Sequence, residues 1–186
     1  MLGYHIRIRP RNSDHLGTTR QERRLVARSV LLRGARFKLV SFGLGEQHLH
    51  MYPICDRDGA GELSGQVSSS LIKPLKLEGG FEKPYIEPLK DMRHAYNNFS
   101  YTLGQEARHN IPADRAGEGS NLPDLLGFRL IGAYTLDNTR RYFPKIDRAH
   151  LLNLLGRREL IPANGPMDAI VDAGLAATAL PSISGS

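Results

Sequence analysis

A side-chain period of two over residues 37–52 constrains this chain more than any other feature. Phe37-Lys-Leu-Val-Ser-Phe42 and Gln47-His-Leu-His-Met-Tyr52 read as two strands, and the Gly-Leu-Gly between them suits a tight turn, so the pair predicts an antiparallel hairpin. On a strand, alternate side chains leave on opposite faces. His48 and His50 therefore share one face while Leu49 takes the other, toward a core. Two imidazoles so arranged suit a single divalent metal. The rival is a histidine pair on a solvated strand face, so the pair needs company before it carries a function.

The remaining pattern places the hairpin in a larger layer. Tyr4-His-Ile-Arg-Ile-Arg9 alternates apolar and basic, as a half-buried strand does. Pro10 to Gly17 is a loop. Thr18 or Thr19 caps a predicted helix running to about Arg33, with Leu25, Val26, Ser29 and Leu32 on its buried stripe and Gly34 ending it. Asp56 to Gly61 reads as a turn-rich loop. A helix follows from Glu62 to about Leu77, kinked or ended by Pro74. Phe81 to Glu87 is an edge strand, since Pro84 cannot donate to a central ladder. From Asp91 to about His109, Met92, Ala95, Tyr96, Phe99, Leu103 and Ala107 recur at helical spacing.

This order is β-α-β-β-α-β-α: an α+β layer with helices packed on a mainly antiparallel sheet. Short helices are expected at 122–132, 136–142 and 148–155, an alanine-rich helix at 167–180, and a frayed end. The organisation read from this is a domain over 1–112 and a helical accessory region over 121–186, itself a candidate DNA contact through its arginines.

Charge narrows the function. Residues 1–45 hold ten Lys and Arg against only Asp14 and Glu22, whereas the rest of the chain holds 15 basic and 17 acidic residues. An arginine-rich first quarter points to a polyanion, most often nucleic acid. Arg7, Arg9, Arg11, Arg20, Arg23 and Arg24 are the candidate phosphate contacts. A basic but merely soluble surface is the plain alternative. No apolar run approaches the ~20 residues that span a bilayer. The N-terminus lacks the apolar stretch of a signal peptide, and Cys55, the only cysteine, rules out an internal disulfide. These features fit a cytoplasmic protein.

Downstream, Tyr101 and Gln105 stand four residues apart, on one face of the predicted helix. A phenol with an ordinary pKa near ~10 is a poor nucleophile at neutral pH and needs assistance. A metal held by His48 and His50, with Gln105 as a third ligand, would polarise a phosphate and leave positions open for DNA oxygens and water. Mg²⁺ or Mn²⁺ is expected, and two histidines suit Mn²⁺ better. Gly104 inside that helix costs about 1 kcal/mol relative to alanine and loosens the element that aims the phenol. Tyr96 falls on the apolar stripe and belongs to the core. His5, beside Tyr4 on the first strand, lines the same site if the sheet order follows the inferred topology.

Tyr4-His-Ile before an arginine-rich helix, His48-Leu-His50 on the hairpin and Tyr101-xxx-Gln105 on the later helix together resemble the single-tyrosine HUH transposases of insertion sequences and their REP-associated relatives. The resemblance spans roughly residues 3–110. It implies a ferredoxin-like α+β fold and single-stranded or hairpin DNA as partner, and by the same likeness a homodimer. It implies a metal-dependent endonuclease and strand transferase in which Tyr101 attacks a phosphodiester, forming a 5′-phosphotyrosine and freeing a 3′-hydroxyl. By position, His48 and His50 are then metal ligands and Gln105 a third. Gln47 stands where family members commonly have Asn. Two other functions compete: a catalytically inactive DNA-binding regulator, and a metal-dependent hydrolase of small phosphodiesters. Against the hydrolase stands the lack of a third histidine or a carboxylate close to the pair.

Overall fold

Four antiparallel strands lie side by side in the order Leu39–Leu44, Leu49–Pro53, Tyr4–Ile8, Tyr85–Pro88, which is the arrangement of a ferredoxin-like β-α-β-β-α-β unit. The computed structural model describes residues 1–112, 117–147, 149 and 151. Its strands are β1 (Tyr4–Ile8), β2 (Leu39–Leu44), β3 (Leu49–Pro53) and β4 (Tyr85–Pro88), and its helices include α1 (Arg20–Gly34) and α2 (Arg57–Ile72). The α+β class and the antiparallel sheet expected from the sequence are both present.

Local chemistry sets most of the boundaries. Thr19 caps α1: its hydroxyl accepts from the Glu22 amide while the Glu22 carboxylate accepts from the Thr19 amide, a reciprocal pair worth about 1 kcal/mol. The buried stripe of α1 runs through Arg23, Val26, Ala27, Val30, Leu31 and Gly34, so Leu32, expected inside, is 58% exposed. Spacing of i, i+3, i+4, i+7 is satisfied by Arg23, Val26, Ala27 and Val30 and again by Ala27, Val30, Leu31 and Gly34, and Leu32 is turned outward.

The segment expected to be a loop, Asp56 to Gly61, is instead the start of α2. The Asp56 carboxylate accepts from the Gly59 amide at 2.8 Å and so begins the helix five residues early. The hairpin turn also shifts. Gly43 and Leu44 belong to β2, and the turn closes with the Gly45 amide donating to the His48 carbonyl. His48 therefore sits at the mouth of β3 rather than within it.

Helices α1 and α2 cover one face of the sheet, burying Ile6, Ile8, Phe42, Leu44, Leu49 and Met51. On the opposite face, α3 (Met92–Leu103) lies over β2 and β3, packing Ala95, Phe99 and Leu103 against Val40 and Tyr52. The helix expected from Asp91 to His109 is interrupted at Gly104 and resumes as the single turn α4 (Gln105–Arg108).

After α4 the chain returns to the outer edge of β2. The Leu44 amide donates to the Gly119 carbonyl, and Asn121 accepts from the Phe42 amide while donating to the Val40 carbonyl. These bonds cover an otherwise unpaired strand edge. Two short helices, α5 (Leu122–Leu125) and α6 (Ala133–Tyr142), complete the layer, with the Tyr134 hydroxyl donating to the Leu31 carbonyl. The described part of the helical tail is thus fastened to the sheet. The helix expected at 148–155 lies largely outside the described residues, and that at 167–180 wholly outside. No helix among the described residues is long and apolar enough to cross a membrane.

Candidate catalytic and nucleic-acid site

The register lines up four residues in one row across the sheet: Gly43 on β2 faces His50 on β3, His50 faces Arg7 on β1, and Arg7 faces Tyr85 on β4. Directly paired residues share a face, so all four look away from α1 and α2. His5, two residues before Arg7, joins them. Its Nε2 lies 2.9 Å from Nδ1 of His50, a hydrogen bond in which one ring carries the proton. Tyr101, near the end of α3, stands over this pair. Its ring centroid is 5.2 Å from that of His50 and 5.9 Å from that of His5, nearly perpendicular to both. The His48 ring is 6.1 Å from His50, and His109 is 6.2 Å from His48. Arg108 holds its guanidinium 4.7 Å from the centre of the Tyr101 ring.

Gly43 is what lets Tyr101 come so near. A Cβ there would lie 1.8 Å from the Thr102 carbonyl oxygen, so only glycine allows the end of α3 to settle on β2. Tyr101 and Gln105 are not on one continuous helix, because Gly104 (φ −81°, ψ 6°) breaks it. The two remain joined: Gln105 is buried, and its amide nitrogen donates to the Tyr101 carbonyl at 2.9 Å, keeping its amide oxygen as the acceptor end. Tyr96 packs edge-on against Phe143 in the core. Burial pushes the Cys55 thiol up to about 11.

Burial also decides the charge state of the imidazoles. Desolvation lowers His50 to about 3, with His5 and His48 adding to the effect. It lowers His5 to about 4, opposed in part by Glu87. His48 is lowered by desolvation and then by Arg9 and Arg7. All three rings are neutral near pH 7, the state in which an imidazole can ligate. With Nδ1 of His50 engaged by His5, Nε2 is its remaining donor. Among the described residues no three His, Cys, Asp or Glu side chains form a group that could hold a metal. The candidate ligands here are the two imidazoles and the Gln105 amide oxygen, one short of the four donors of a closed zinc site.

The six candidate arginines part company. Arg7 and Arg11 are exposed, and Arg9 faces Glu82 at 4.0 Å. Arg20 and Arg24 both bind Glu118 on the surface, at 2.7 and 2.8 Å. Arg23 does not belong with them. It is fully buried, pairs with Glu106 at 2.7 Å, and donates to the carbonyls of Leu44, Gly45 and Gly17. Glu106 in turn accepts from the Gly117 and Gly119 amides. A guanidinium spent on four acceptors inside the protein reaches no phosphate; it ties α1 to the hairpin turn and to α4.

Sequence reasoning passed over Arg108, His109, Tyr85 and Glu106. Tyr85, His109 and Glu106 enter through pairing or packing with a residue far along the chain, and Arg108 through packing on Tyr101 across the break at Gly104. For His5 the signal was present, since the alternation of β1 puts His5 and Arg7 on one face.

No family model matches the chain, and neither does any curated protein. Fold and site together define an α+β sheet protein with a histidine pair and a tyrosine on its second face. Among solved structures this chain is similar to a REP-associated tyrosine transposase bound to a REP hairpin, with 13% sequence identity, a TM-score of 0.53, and coverage of 70% of this chain and 84% of that one. At that identity the likeness is one of fold.

Proposed function

We propose that the chain is a DNA strand transferase of the single-tyrosine HUH type, acting on single-stranded or hairpin DNA. What supports this above all is the perpendicular stand of Tyr101 over His50, at 5.2 Å, beside His48. A solved structure of similar fold is a REP-associated tyrosine transposase bound to a REP hairpin, which supports a hairpin as partner.

In the proposed reaction the Tyr101 oxygen attacks phosphorus, the bond from phosphorus to the 3′ oxygen breaks, and a 5′-phosphotyrosine forms. The phenol gives up its proton as the departing 3′ oxygen gains one. Rejoining reverses both, so no nucleotide is consumed. Mg²⁺ or Mn²⁺ held by His48 and His50, with Gln105 as third ligand, would stabilise charge on the phosphate oxygens. Arg108, against the phenol ring, stabilises negative charge on the tyrosine oxygen when it departs. Arg7 and Arg11 follow the backbone, so binding weakens steeply with salt.

The test is a denaturation-stable adduct with a labelled single-stranded or hairpin substrate in Mn²⁺. Wild type forms it and Tyr101→Phe does not. An adduct that persists in Tyr101→Phe means another nucleophile. Salt-sensitive binding with no adduct in wild type means a DNA-binding regulator. Turnover of a small phosphodiester that survives Tyr101→Phe means a hydrolase. Sedimentation of the free protein decides the homodimer implied by the family likeness.

A further inference from the structure

The row that carries His50 continues outward to the edge strand. Past His50 come Arg7 and then, on the edge strand, Tyr85. Strands are spaced about 4.8 Å, so Tyr85 stands about 10 Å from the His50 backbone on the same face. Helix α3 covers β2 and β3 but leaves this half of the face open: Arg7 is exposed and Tyr85 is 46% exposed.

An exposed tyrosine on an edge strand is ordinarily free to swing. Tyr85 is held on three sides. Arg7 places its guanidinium 5.3 Å from the ring centre, and the His5 ring meets it nearly perpendicular at 6.4 Å. Its hydroxyl donates to the Glu87 carboxylate at 2.9 Å. A ring fixed on its inner side and open on its outer side is preorganised to receive something flat. The neighbouring cation specifies that the flat group is joined to a negative charge.

We propose that Arg7 and Tyr85 form a binding step for one unpaired nucleotide of single-stranded DNA, its base stacked on Tyr85 and its phosphate against Arg7. The inference rests on the DNA reading above and deepens it. The step lies two strands outward from His50, so the bound nucleotide flanks the scissile bond and fixes which phosphate reaches Tyr101. Stacking needs no particular base, so this step sets register and tolerates any sequence.

The experiment is fluorescence anisotropy with a labelled oligothymidylate and with a matched series carrying a single abasic nucleotide at successive positions. Tyr85→Val keeps the strand preference and removes the ring; Tyr85→Phe keeps the ring and removes the hydroxyl tie. Tyr85→Val is expected to bind about ten-fold more weakly with an unchanged salt slope, and Tyr85→Phe within about two-fold of wild type. Arg7→Gln is expected to lower the salt slope by about 0.7. In wild type one abasic position costs about as much as Tyr85→Val, and that penalty disappears in the variant.

Wild-type affinity in Tyr85→Val overturns the proposal, as does equal loss in Tyr85→Phe and Tyr85→Val. The outcome is separable from the strand-transfer reading. An adduct at Tyr101 with no Tyr85 effect removes only this step. A Tyr85 effect with no adduct removes only the catalysis.

Discussion

Gly43→Ala is the sharpest small perturbation of this site. It adds one methyl to the row beneath α3, where the new Cβ would lie 1.8 Å from the Thr102 carbonyl oxygen, and contacts of this kind essentially never fall below 3.0 Å. The obstacle is backbone, which cannot rotate away as a side chain can. Either β2 or the end of α3 must move by about 1.2 Å or more, and Tyr101 adjoins the atom that is hit. Overpacking of this sort costs about 1–3 kcal/mol, a fall of several degrees in melting temperature. A displacement near 1 Å in a reacting group can cost about 100-fold in rate.

The exposed half of the face, with Arg7 and Tyr85, is untouched, so DNA affinity should stay within about three-fold. The assays are a thermal melt, anisotropy with single-stranded DNA, and the initial rate of adduct formation. An alanine variant that melts and reacts as wild type does would refute the claim that this glycine seats Tyr101. A loss of affinity as large as the loss of rate would show that the damage is global.

Two further outcomes follow from the buried groups. Arg23→Leu strands the Glu106 carboxylate inside the protein and is expected to destabilise it by about 3–5 kcal/mol, read by urea denaturation. Under folding conditions its DNA salt slope should match wild type, whereas a lowered slope would return Arg23 to the phosphate contacts. His5 and His50 are held below the ordinary histidine value, to about 4 and about 3, so the unfolded chain binds protons the folded one refuses. Stability in chelator is therefore full above about pH 6.5 and falls as pH drops toward 4, at up to about 1.4 kcal/mol per pH unit for each group. His5→Gln should flatten that fall, and an unchanged profile would mean the His5–His50 contact is not made in solution.

The sequence by itself determined what depends on neighbours a few residues away. Alternation over 4–9 and 47–52 sets the strand faces and thereby the pairing of His48 with His50, and the threonines at 18 and 19 announce the start of α1, which the structure assigns to Thr19. Near-range signals also misled where two of them competed. The glycines of 56–61 read as a turn, yet the Asp56 carboxylate, satisfying a helix amide, starts α2 there.

Tertiary structure alone decided the rest. Only the strand order brings His5 against His50 across 45 residues, and only the row through Arg7 gives Tyr85 a place beside the site. Arg23 looks like its neighbours Arg20 and Arg24 in composition. Its fate depends on Glu106, 83 residues away, because a charge is accepted inside a protein only where distant groups complete its hydrogen bonds. Periodicity reports which way a side chain points from its own backbone; what waits for it there depends on how the sheet is closed.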